Sequence, residues 1–362
     1  MSQADKSVPG LRQSSTAVLV VGGGIMGLWA ALKAAEAGLS VILCERGRIG
    51  QGASGGLLGA LFPWLPERWE PKKQFQFDAL MSLPDEIAAL ERETGLSAHF
   101  SRSGRLIPLP KPHLRPLAEA FVADSRANWQ KVENGPSWQV LDKSPVPDWL
   151  PDESGPHGFS LDGMAARVSP RDLTGLLHAA LKRRQNVTII EGEALTALDP
   201  GQGVATIGGQ TLAFGHAVIA AGVESFPMLE RLLPVAEKPL GERVKGQAAL
   251  LAADVDPSLP VIFLNGLYIV AHEGGHVAIG STSESQFDAP FSTDRQLERL
   301  VSAARSLAPA LENAPVIERW AGLRPKAIGS DPLIGPLPDH DNIIAMTGGF
   351  KISFGIAHRL AT

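Results

Sequence analysis

The stretch AVLVVGGGIMGLWAALKAAEAGLSVILCER, residues 17–46, decides the fold of this chain. Residues 17–21 are a short apolar run, as expected of a parallel strand that is buried on both faces. Gly22, Gly24 and Gly27 follow with the spacing G-x-G-x-x-G. The first glycine allows a tight turn, the second lets backbone N–H groups approach a pyrophosphate, and the third lets a helix pack close to the strand.

The rest of this stretch completes a strand–helix–strand unit. An apolar stripe follows the glycines at helical spacing, and Gly38 is a suitable left-handed residue to end the helix. The second apolar strand, residues 41–44, leads to Glu45, where an acid can accept hydrogen bonds from both ribose hydroxyls and would repel a 2′-phosphate. The complete unit in this order therefore predicts a dinucleotide-binding site.

Composition and charge narrow the class of protein. The 362 residues suffice for two domains, and 44% hydrophobic with 20% charged residues is ordinary for a soluble globular protein. The net charge of −5, without a basic block, argues against nucleic acid or an anionic membrane as the main partner. Cys44 is the single cysteine, so we expect no disulfide within the chain and no metal site. Residues 1–16 are polar and no transmembrane segment is found, so we expect a cytoplasmic protein.

Patterns further along the chain indicate a second kind of sheet. The apolar strand 217–221 ends in another glycine turn, which suggests that the nucleotide domain is interrupted and rebuilt from separate segments. Beyond Phe226 we expect a mostly antiparallel sheet with strands at 247–251, 261–264, 267–271 and 276–280. Helical periodicity predicts helices over 75–94, 111–128 and 295–311, and Ser169-Pro170 begins another. The proline-rich residues 144–158 are interpreted as an exposed connection.

Three further blocks carry a family resemblance. They are GASGG at 52–56, VIAAGVES at 218–225 and WAGLRPKAIGSDPLIGPLPDHDNIIAMTGGFK at 320–351. With the opening unit, they resemble the flavin-dependent D-amino acid oxidase superfamily, most closely its glycine oxidase and sarcosine oxidase pattern. LYIVAHEGGHVAIGST at 267–282 is similar to the strand pair beside the substrate in that group.

The resemblance implies an α/β fold, α+β overall, with a Rossmann-like FAD-binding domain and a mostly antiparallel substrate domain. The FAD-binding domain would be discontinuous, formed by residues 1–85, 155–225 and 330–362. The substrate domain would comprise residues 86–154 and 226–329. Such enzymes oxidise the carbon–nitrogen bond of a small amino acid or secondary amine by hydride transfer to the flavin N5.

The resemblance also implies three catalytic residues. Arg324, in GLRP, matches the position that binds a substrate carboxylate through its guanidinium fork; the alternative is a structural ion pair. Lys351 matches a lysine that contacts the carboxylate and lies near the flavin; the alternative is a surface lysine. Tyr268, the only tyrosine, matches a position near the substrate; the alternative is a half-buried sheet residue. Phe62 and Trp64 are possible pocket walls, and we assign no general base.

The implied cofactor is non-covalent FAD. Relatives with covalent flavin attach it through a cysteine in the C-terminal half or an N-terminal histidine, whereas here the cysteine is Cys44 and the first histidine is His99. The predicted cofactor contacts are Gly22, Gly24, Gly27, Glu45, Arg46, Ser54, Gly55, Gly222, Gly348, Gly349, Phe350 and Lys351. The final segment GIAHRLAT is expected to be the start of a helix directed at the flavin O2 edge.

Several alternatives stay open at the level of sequence. The electron acceptor is O2 or an unknown acceptor. ASGGLLGALFP resembles a tRNA-modifying branch that removes a carboxymethyl group from a wobble uridine, although no basic domain is present. A flavin-containing subunit without its own activity and an NAD-dependent dehydrogenase are two further possibilities, the latter disfavoured by the second glycine turn and the GLRP block.

Overall fold

The computed structural model describes residues 13–129, 135–233, 238–329 and 331–362. Its helices, in chain order, are α1 (Ile25–Glu36), α2 (Pro71–Thr94), α3 (Leu114–Asn128), α4 (Pro170–Lys182), α5 (Ser225–Glu230), α6 (Arg295–Leu307) and α7 (Ser353–Leu360). Its strands are β1 (Ser15–Val21), β2 (Val41–Glu45), β3 (Ala60–Leu61), β4 (Arg105–Pro108), β5 (Trp138–Leu141), β6 (Phe159–Asp162), β7 (Ala166–Arg167), β8 (Val187–Glu191), β9 (Leu195–Asp199), β10 (Val204–Ile207), β11 (Gln210–Ile219), β12 (Gly241–Ala252), β13 (Val261–Leu264), β14 (Leu267–His272), β15 (His276–Gly280), β16 (Val316–Ala327), β17 (Leu333–Leu337) and β18 (His340–Thr347).

The first sheet contains the predicted nucleotide-binding unit. Its strand order is β17-β18-β11-β1-β2-β8, and β1 pairs in parallel with both β2 and β11. Both faces of β1 are buried, because α1, α2, α4 and α7 pack over one face and a second apolar cluster covers the other. The apolar run at residues 17–21 therefore reflects burial on both sides, as predicted.

The second sheet is mostly antiparallel, as predicted. Its order is β16-β12-β15-β14-β13-β4-β6-β5, and only the β13–β4 pair among its described strand pairs is parallel. Helix α6 packs on one face through Leu297, Val301 and Ala304, which are spaced for a single helical stripe. The other face carries a smaller apolar cluster that residues 57–62 cover.

The strands of the first sheet come from three separate parts of the chain, before residue 46, between 187 and 219, and after 333. Strand β6 belongs to the second sheet, although it lies in the segment 155–225 that was predicted to be part of the FAD-binding domain. The exact domain bounds stay a prediction.

Two local predictions need correction. Residues 144–158 are not simply an exposed connection, because Trp149 and Leu150 are buried and the Trp149 indole N–H donates to the Pro260 carbonyl at 3.0 Å. The predicted helix 295–311 ends at Leu307, and a separate 3-10 turn follows at Pro309–Leu311. Proline disfavours helical backbone in the preceding residue and lacks an N–H, so it ends the helix there.

Candidate active site

The glycine turn after β1 is packed too tightly for a side chain. Gly22 has a φ of +110°, and a Cβ there would lie 2.4 Å from the carbonyl oxygen of Ala220. A Cβ on Gly27 would lie 1.9 Å from the carbonyl oxygen of Gly22. Both distances are far below van der Waals contact, so the close approach of β1, α1 and the residue after β11 requires glycine at both positions.

The N-terminus of α1 lies against the turn Ala53–Gly55. Gly24 precedes the helix without a side-chain cap, and the Ser54 hydroxyl accepts a hydrogen bond from the Ile25 N–H at 2.9 Å. A Cβ on Gly24 would lie 3.2 Å from this hydroxyl. Because the helix dipole and the first-turn N–H groups favour anions, this position suits a pyrophosphate bound beside Ser54.

Glu45 lies at the end of β2 and is fixed by two backbone donors. Its Oε2 accepts from the Gly23 N–H at 2.7 Å and its Oε1 accepts from the Gly47 N–H at 2.8 Å. Each carboxylate oxygen keeps a further acceptor position, which a ribose hydroxyl could use. The neighbouring Arg46 is 66% exposed and lies 3.9 Å from Glu224, so its side chain points along the surface.

A second glycine turn, after β18, connects the first sheet to the second. Gly348 has a φ of +80° and Phe350 a φ of +47°. A Cβ on Gly349 would lie 2.5 Å from the methyl carbon of Met26 in α1, and the Phe350 N–H donates to the Pro325 carbonyl at 3.0 Å. The turn therefore lies between the first turn of α1 and β16. Nearby, the Thr347 hydroxyl at the end of β18 donates to the Gly222 carbonyl at 3.0 Å.

Arg324 lies on β16, where its guanidinium extends over the neighbouring strand. Its Nη1 donates to the Thr282 carbonyl at 3.1 Å. A Cβ on Gly246 of β12 would lie 2.0 Å from the guanidinium, so glycine there makes room for it. Burial lowers the pKa of Arg324, while Tyr268 and Glu284 act in the opposite direction. No described carboxylate forms an ion pair with Arg324, so the alternative of a structural ion pair has no partner in the described part of the chain.

Tyr268 lies in an aromatic group on the face of the second sheet that residues 57–62 cover. Its ring stacks on Phe62 with centroids 5.2 Å apart and contacts Phe263 at 4.9 Å. Burial raises the pKa of the Tyr268 hydroxyl, and the charges of Arg105 and Arg324 reduce this rise. The hydroxyl is therefore a neutral hydrogen-bond donor at neutral pH.

Lys351 follows the turn after β18. Its Nζ lies 5.4 Å from the centroid of the Phe350 ring. The side chain is exposed, yet partial desolvation lowers the pKa of Lys351 and the positive charge of Arg324 lowers it further. Of the three predicted catalytic residues, Arg324 interacts electrostatically with both Tyr268 and Lys351, and their catalytic roles stay a prediction.

Comparison with known proteins agrees with this architecture. Residues 17–362 match the DAO family model, described as FAD dependent oxidoreductase. A glycine oxidase from Pseudomonas putida is 32% identical over 354 residues, which cover 93% of this chain and 90% of the relative. A glycine oxidase from Pseudomonas aeruginosa is 30% identical over 362 residues, covering 93% and 90%. The crystal structure of glycine oxidase from Geobacillus kaustophilus superposes with a TM-score of 0.83 at 22% identity, covering 96% of this chain and 93% of that one.

The chain belongs to the DAO family. Membership confirms the predicted FAD-dependent oxidoreductase acting on CH–NH donors, and with it the predicted fold class. The residues present fit FAD: the glycine turn leaves no side chain beside the α1 N-terminus, and Glu45 lies one strand away. The NAD-dependent dehydrogenase that the sequence left as a possibility is wrong.

One buried charged residue near Tyr268, Arg105, was not expected from the sequence. It is only 6% exposed, its Nη2 donates to Asp162 at 2.7 Å, and its guanidinium lies 4.4 Å from the centroid of the Phe62 ring. The sequence does contain one indication of this pair. Arg105 begins the apolar strand RLIP, and a charged side chain buried in such a strand requires a partner of opposite charge. That partner lies 57 residues away in the sequence, where no local pattern points to it.

The two aromatic residues considered as pocket walls differ in position. Phe62 contacts Tyr268, whereas Trp64 is 41% exposed and has Lys72 over its ring at 5.8 Å. Buried Gln76 fixes both residues, because its amide donates to the Phe62 carbonyl at 3.1 Å and accepts from the Trp64 N–H at 2.6 Å. Phe62 is thus the one that borders the candidate site.

Two further findings concern the described residues as a whole. Among them, no cluster of histidine, cysteine and acidic side chains has the arrangement needed to hold a metal ion. In the same part of the chain, none of the helices is long and apolar enough to cross a membrane.

Proposed function

We propose that this DAO family member oxidises the carbon–nitrogen bond of a small amino acid or N-alkyl amino acid of the glycine and sarcosine type. The observation that carries this proposal is the guanidinium of Arg324, which is partly buried beside Tyr268 and has no described carboxylate partner. A largely desolvated guanidinium that forms no direct ion pair is suited to an anionic ligand.

The substrate carboxylate is assigned to Arg324, with Tyr268 as a second donor. A guanidinium can bind both carboxylate oxygens at once, which fixes the orientation of the α-carbon as well as its position. The neutral Tyr268 hydroxyl donates a hydrogen bond to the same carboxylate. Tyr268 is partly desolvated and stacked on Phe62, and reduced screening by water strengthens the polar contact of its hydroxyl.

The amino group must be neutral when the α-carbon–hydrogen bond breaks. The positive charges of Arg324 and Lys351 favour loss of a proton from a substrate ammonium group nearby, because like charges destabilise the protonated form. A dedicated general base is therefore not required. FAD, when bound, supplies the hydride acceptor, and Lys351 is assigned to stabilise negative charge that develops there.

The cofactor is proposed to be non-covalent. Burial in β2 raises the pKa of the Cys44 thiol to about 12, and its Sγ donates to the Glu193 carbonyl at 3.1 Å. A thiol in this state is a poor nucleophile at neutral pH. The single cysteine is therefore unsuited to form a thioether with the flavin.

The proposal is tested by the visible spectrum of the FAD-loaded protein under anaerobic conditions. Glycine, sarcosine, several D-amino acids and L-proline are added in separate titrations. We expect at least one of them to bleach the visible absorbance of the oxidised flavin. Admitting O2 afterwards distinguishes an oxidase, whose absorbance returns rapidly, from a dehydrogenase. A spectrum that none of these amines changes would overturn the small-amino-acid assignment and would favour a tRNA substrate or a flavin subunit without its own activity.

A further inference from the structure

A second guanidinium, that of Arg105, lies on the same face of the second sheet as Tyr268. Arg105 is paired with Val261 across β4 and β13, and Phe263 is paired with Tyr268 across β13 and β14. Because alternate residues of a strand share a face, Val261 and Phe263 place Arg105 and Tyr268 on one side of the sheet. Direct contacts agree, since the Arg105 guanidinium lies 5.8 Å from the centroid of the Phe263 ring.

The donors of Arg105 are only partly used. Nη2 donates to Asp162 at 2.7 Å, but Nε is buried with no acceptor, and Nη1 makes no hydrogen bond to any group in the described ranges. A purely structural Arg–Asp pair would be expected to use two guanidinium nitrogens, in the bidentate geometry that this pair favours. An unpaired buried donor destabilises the protein unless a ligand supplies the acceptor.

Asp162 holds the guanidinium in this orientation. Its Oδ1 accepts from the Met164 N–H at 2.9 Å and from the Ala165 N–H at 3.3 Å, which leaves Oδ2 for Arg105. The ring of Phe62 lies 4.4 Å from the same guanidinium and also stacks on Tyr268. Arg105 is therefore fixed beside the residues assigned to the substrate, and Nη1 is its donor that a bound molecule can reach, since Nε is buried and Nη2 is bonded to Asp162.

We propose that Arg105 binds a second acidic group of the substrate, so that the preferred substrate is an amino acid or N-alkyl amino acid with two carboxylates. This inference rests on the proposed function, in which Arg324 binds the carboxylate next to the reacting carbon. Arg105 and Arg324 then hold the two ends of one molecule, with Tyr268 between them. Tyr268 is paired with Gly280, and Arg324 donates to the carbonyl of Thr282, two residues further along. Phe62 contacts both Tyr268 and Arg105, so the two guanidinium groups approach Tyr268 from different elements.

The test compares a dicarboxylate with a matched monocarboxylate. Iminodiacetate and its monoamide have the same length and no chiral centre, and they differ only in the charge of one end. With the FAD-loaded wild-type enzyme, we expect kcat/KM for iminodiacetate to exceed that for the monoamide about 10- to 100-fold, as for a hydrogen bond to a charged group. Arg105→Met should abolish this preference and change kcat/KM for sarcosine little, while Arg105→Lys should retain part of it.

A double variant controls for misfolding that an unpaired buried charge would cause. Arg105→Met leaves Asp162 buried without its cation, so Arg105→Met/Asp162→Asn is made in parallel to keep the site neutral. The proposal is overturned if the wild-type enzyme does not prefer iminodiacetate, or if the double variant slows oxidation of sarcosine and iminodiacetate equally.

A binding measurement separates this inference from the proposed function. Glutarate and its monoamide cannot be oxidised as amines, so their affinity for the FAD-loaded protein is measured by titration calorimetry. Tighter binding of glutarate that disappears in the double variant supports the subsite even if every amine fails to bleach the flavin. Equal affinity of both compounds contradicts the subsite even if glycine or sarcosine is oxidised.

Discussion

At the scale of single residues, the position of Arg324 depends on a glycine of the neighbouring strand, two residues from its direct partner Val244. Gly246 of β12 lies beneath the guanidinium, and a Cβ there would lie 2.0 Å from Nη1 and 2.2 Å from Cζ. The Thr282 carbonyl then fixes Nη1 at 3.1 Å. Because Gly246 has no side chain, β12 leaves the space that the guanidinium of Arg324, the proposed carboxylate-binding group, occupies.

Gly246→Ala is predicted to displace Arg324 without affecting FAD binding. The added methyl group must push the guanidinium aside, so we expect kcat/KM for sarcosine to fall about 10-fold or more, the loss of roughly one good polar contact. Steady-state kinetics measures this, with the flavin content per protein as a check. The matched control is Gly175→Ala on α4, where a Cβ meets nothing within 4 Å. Unchanged kinetics in Gly246→Ala would contradict the role of this space.

At the scale of elements, the unit β1–α1–β2 and the turn after β18 form the proposed cofactor cradle. The sequence predicted the unit because its glycine spacing, apolar strands and terminal acid are local features. It did not predict that Gly349 packs against Met26 or that Phe350 bonds to Pro325, since those contacts join distant segments. Local patterns therefore predicted the β1–α1–β2 unit, whereas its contacts with the turn after β18 are known only from the structure.

Gly27→Ala is predicted to prevent tight FAD binding. A Cβ at this position would lie 1.9 Å from the Gly22 carbonyl oxygen, which is backbone and cannot rotate away. The helix must shift off β1, which moves the first-turn N–H groups that would face the pyrophosphate. The measurement is the ratio of flavin to protein absorbance after purification, with Gly175→Ala again as control. A fully flavin-loaded Gly27→Ala protein with normal thermal stability would show that this packing is not needed.

At the scale of the whole molecule, the candidate site lies where the two sheets meet. Sequence patterns predicted both sheets and their parallel and antiparallel character. The family resemblance implied Arg324, Lys351 and Tyr268 as catalytic residues, and these roles stay a prediction. Sequence patterns did not reveal Arg105, whose partner Asp162 is distant in sequence, or the burial of Trp149 within a proline-rich segment. Such contacts join segments that are distant in sequence, so the periodicity within a single strand does not predict them.

Two buried histidines are expected to lower the free energy of unfolding in acid. Burial lowers the pKa of His272 and that of His358 from 6.5 to about 4 in each case. Between pH 6.5 and 4 the unfolded chain therefore binds protons that the folded protein does not, so stability falls as the pH decreases through this window. Full protonation would cost about 3 kcal/mol per histidine, at 1.36 kcal/mol per pKa unit.

Urea unfolding at a series of pH values from about 7.5 to 4.5 measures this loss, with the free energy of unfolding at each pH obtained by linear extrapolation to zero urea. His358→Gln should flatten the dependence on pH, because glutamine has no proton to gain and can still bond to Ser82, which lies 2.9 Å from the histidine. The exposed His113→Gln serves as the control and should leave the pH dependence unchanged. Parallel curves for the His358 variant and the wild-type protein would contradict the assignment.

The measurement that tests the central claim most directly compares two amines that differ by a carboxylate. Anaerobic flavin reduction is followed with sarcosine and with dimethylamine, in the wild-type enzyme and in Arg324→Met. We predict that sarcosine reduces the wild-type flavin and that Arg324→Met lowers the second-order rate constant of this reduction by about 100-fold or more, as expected when a buried charge contact is lost. Arg324→Lys should recover part of this loss, and the slow reaction with dimethylamine should be the same in all three proteins. If Arg324→Met oxidised sarcosine as fast as the wild-type enzyme, Arg324 would not be the carboxylate anchor.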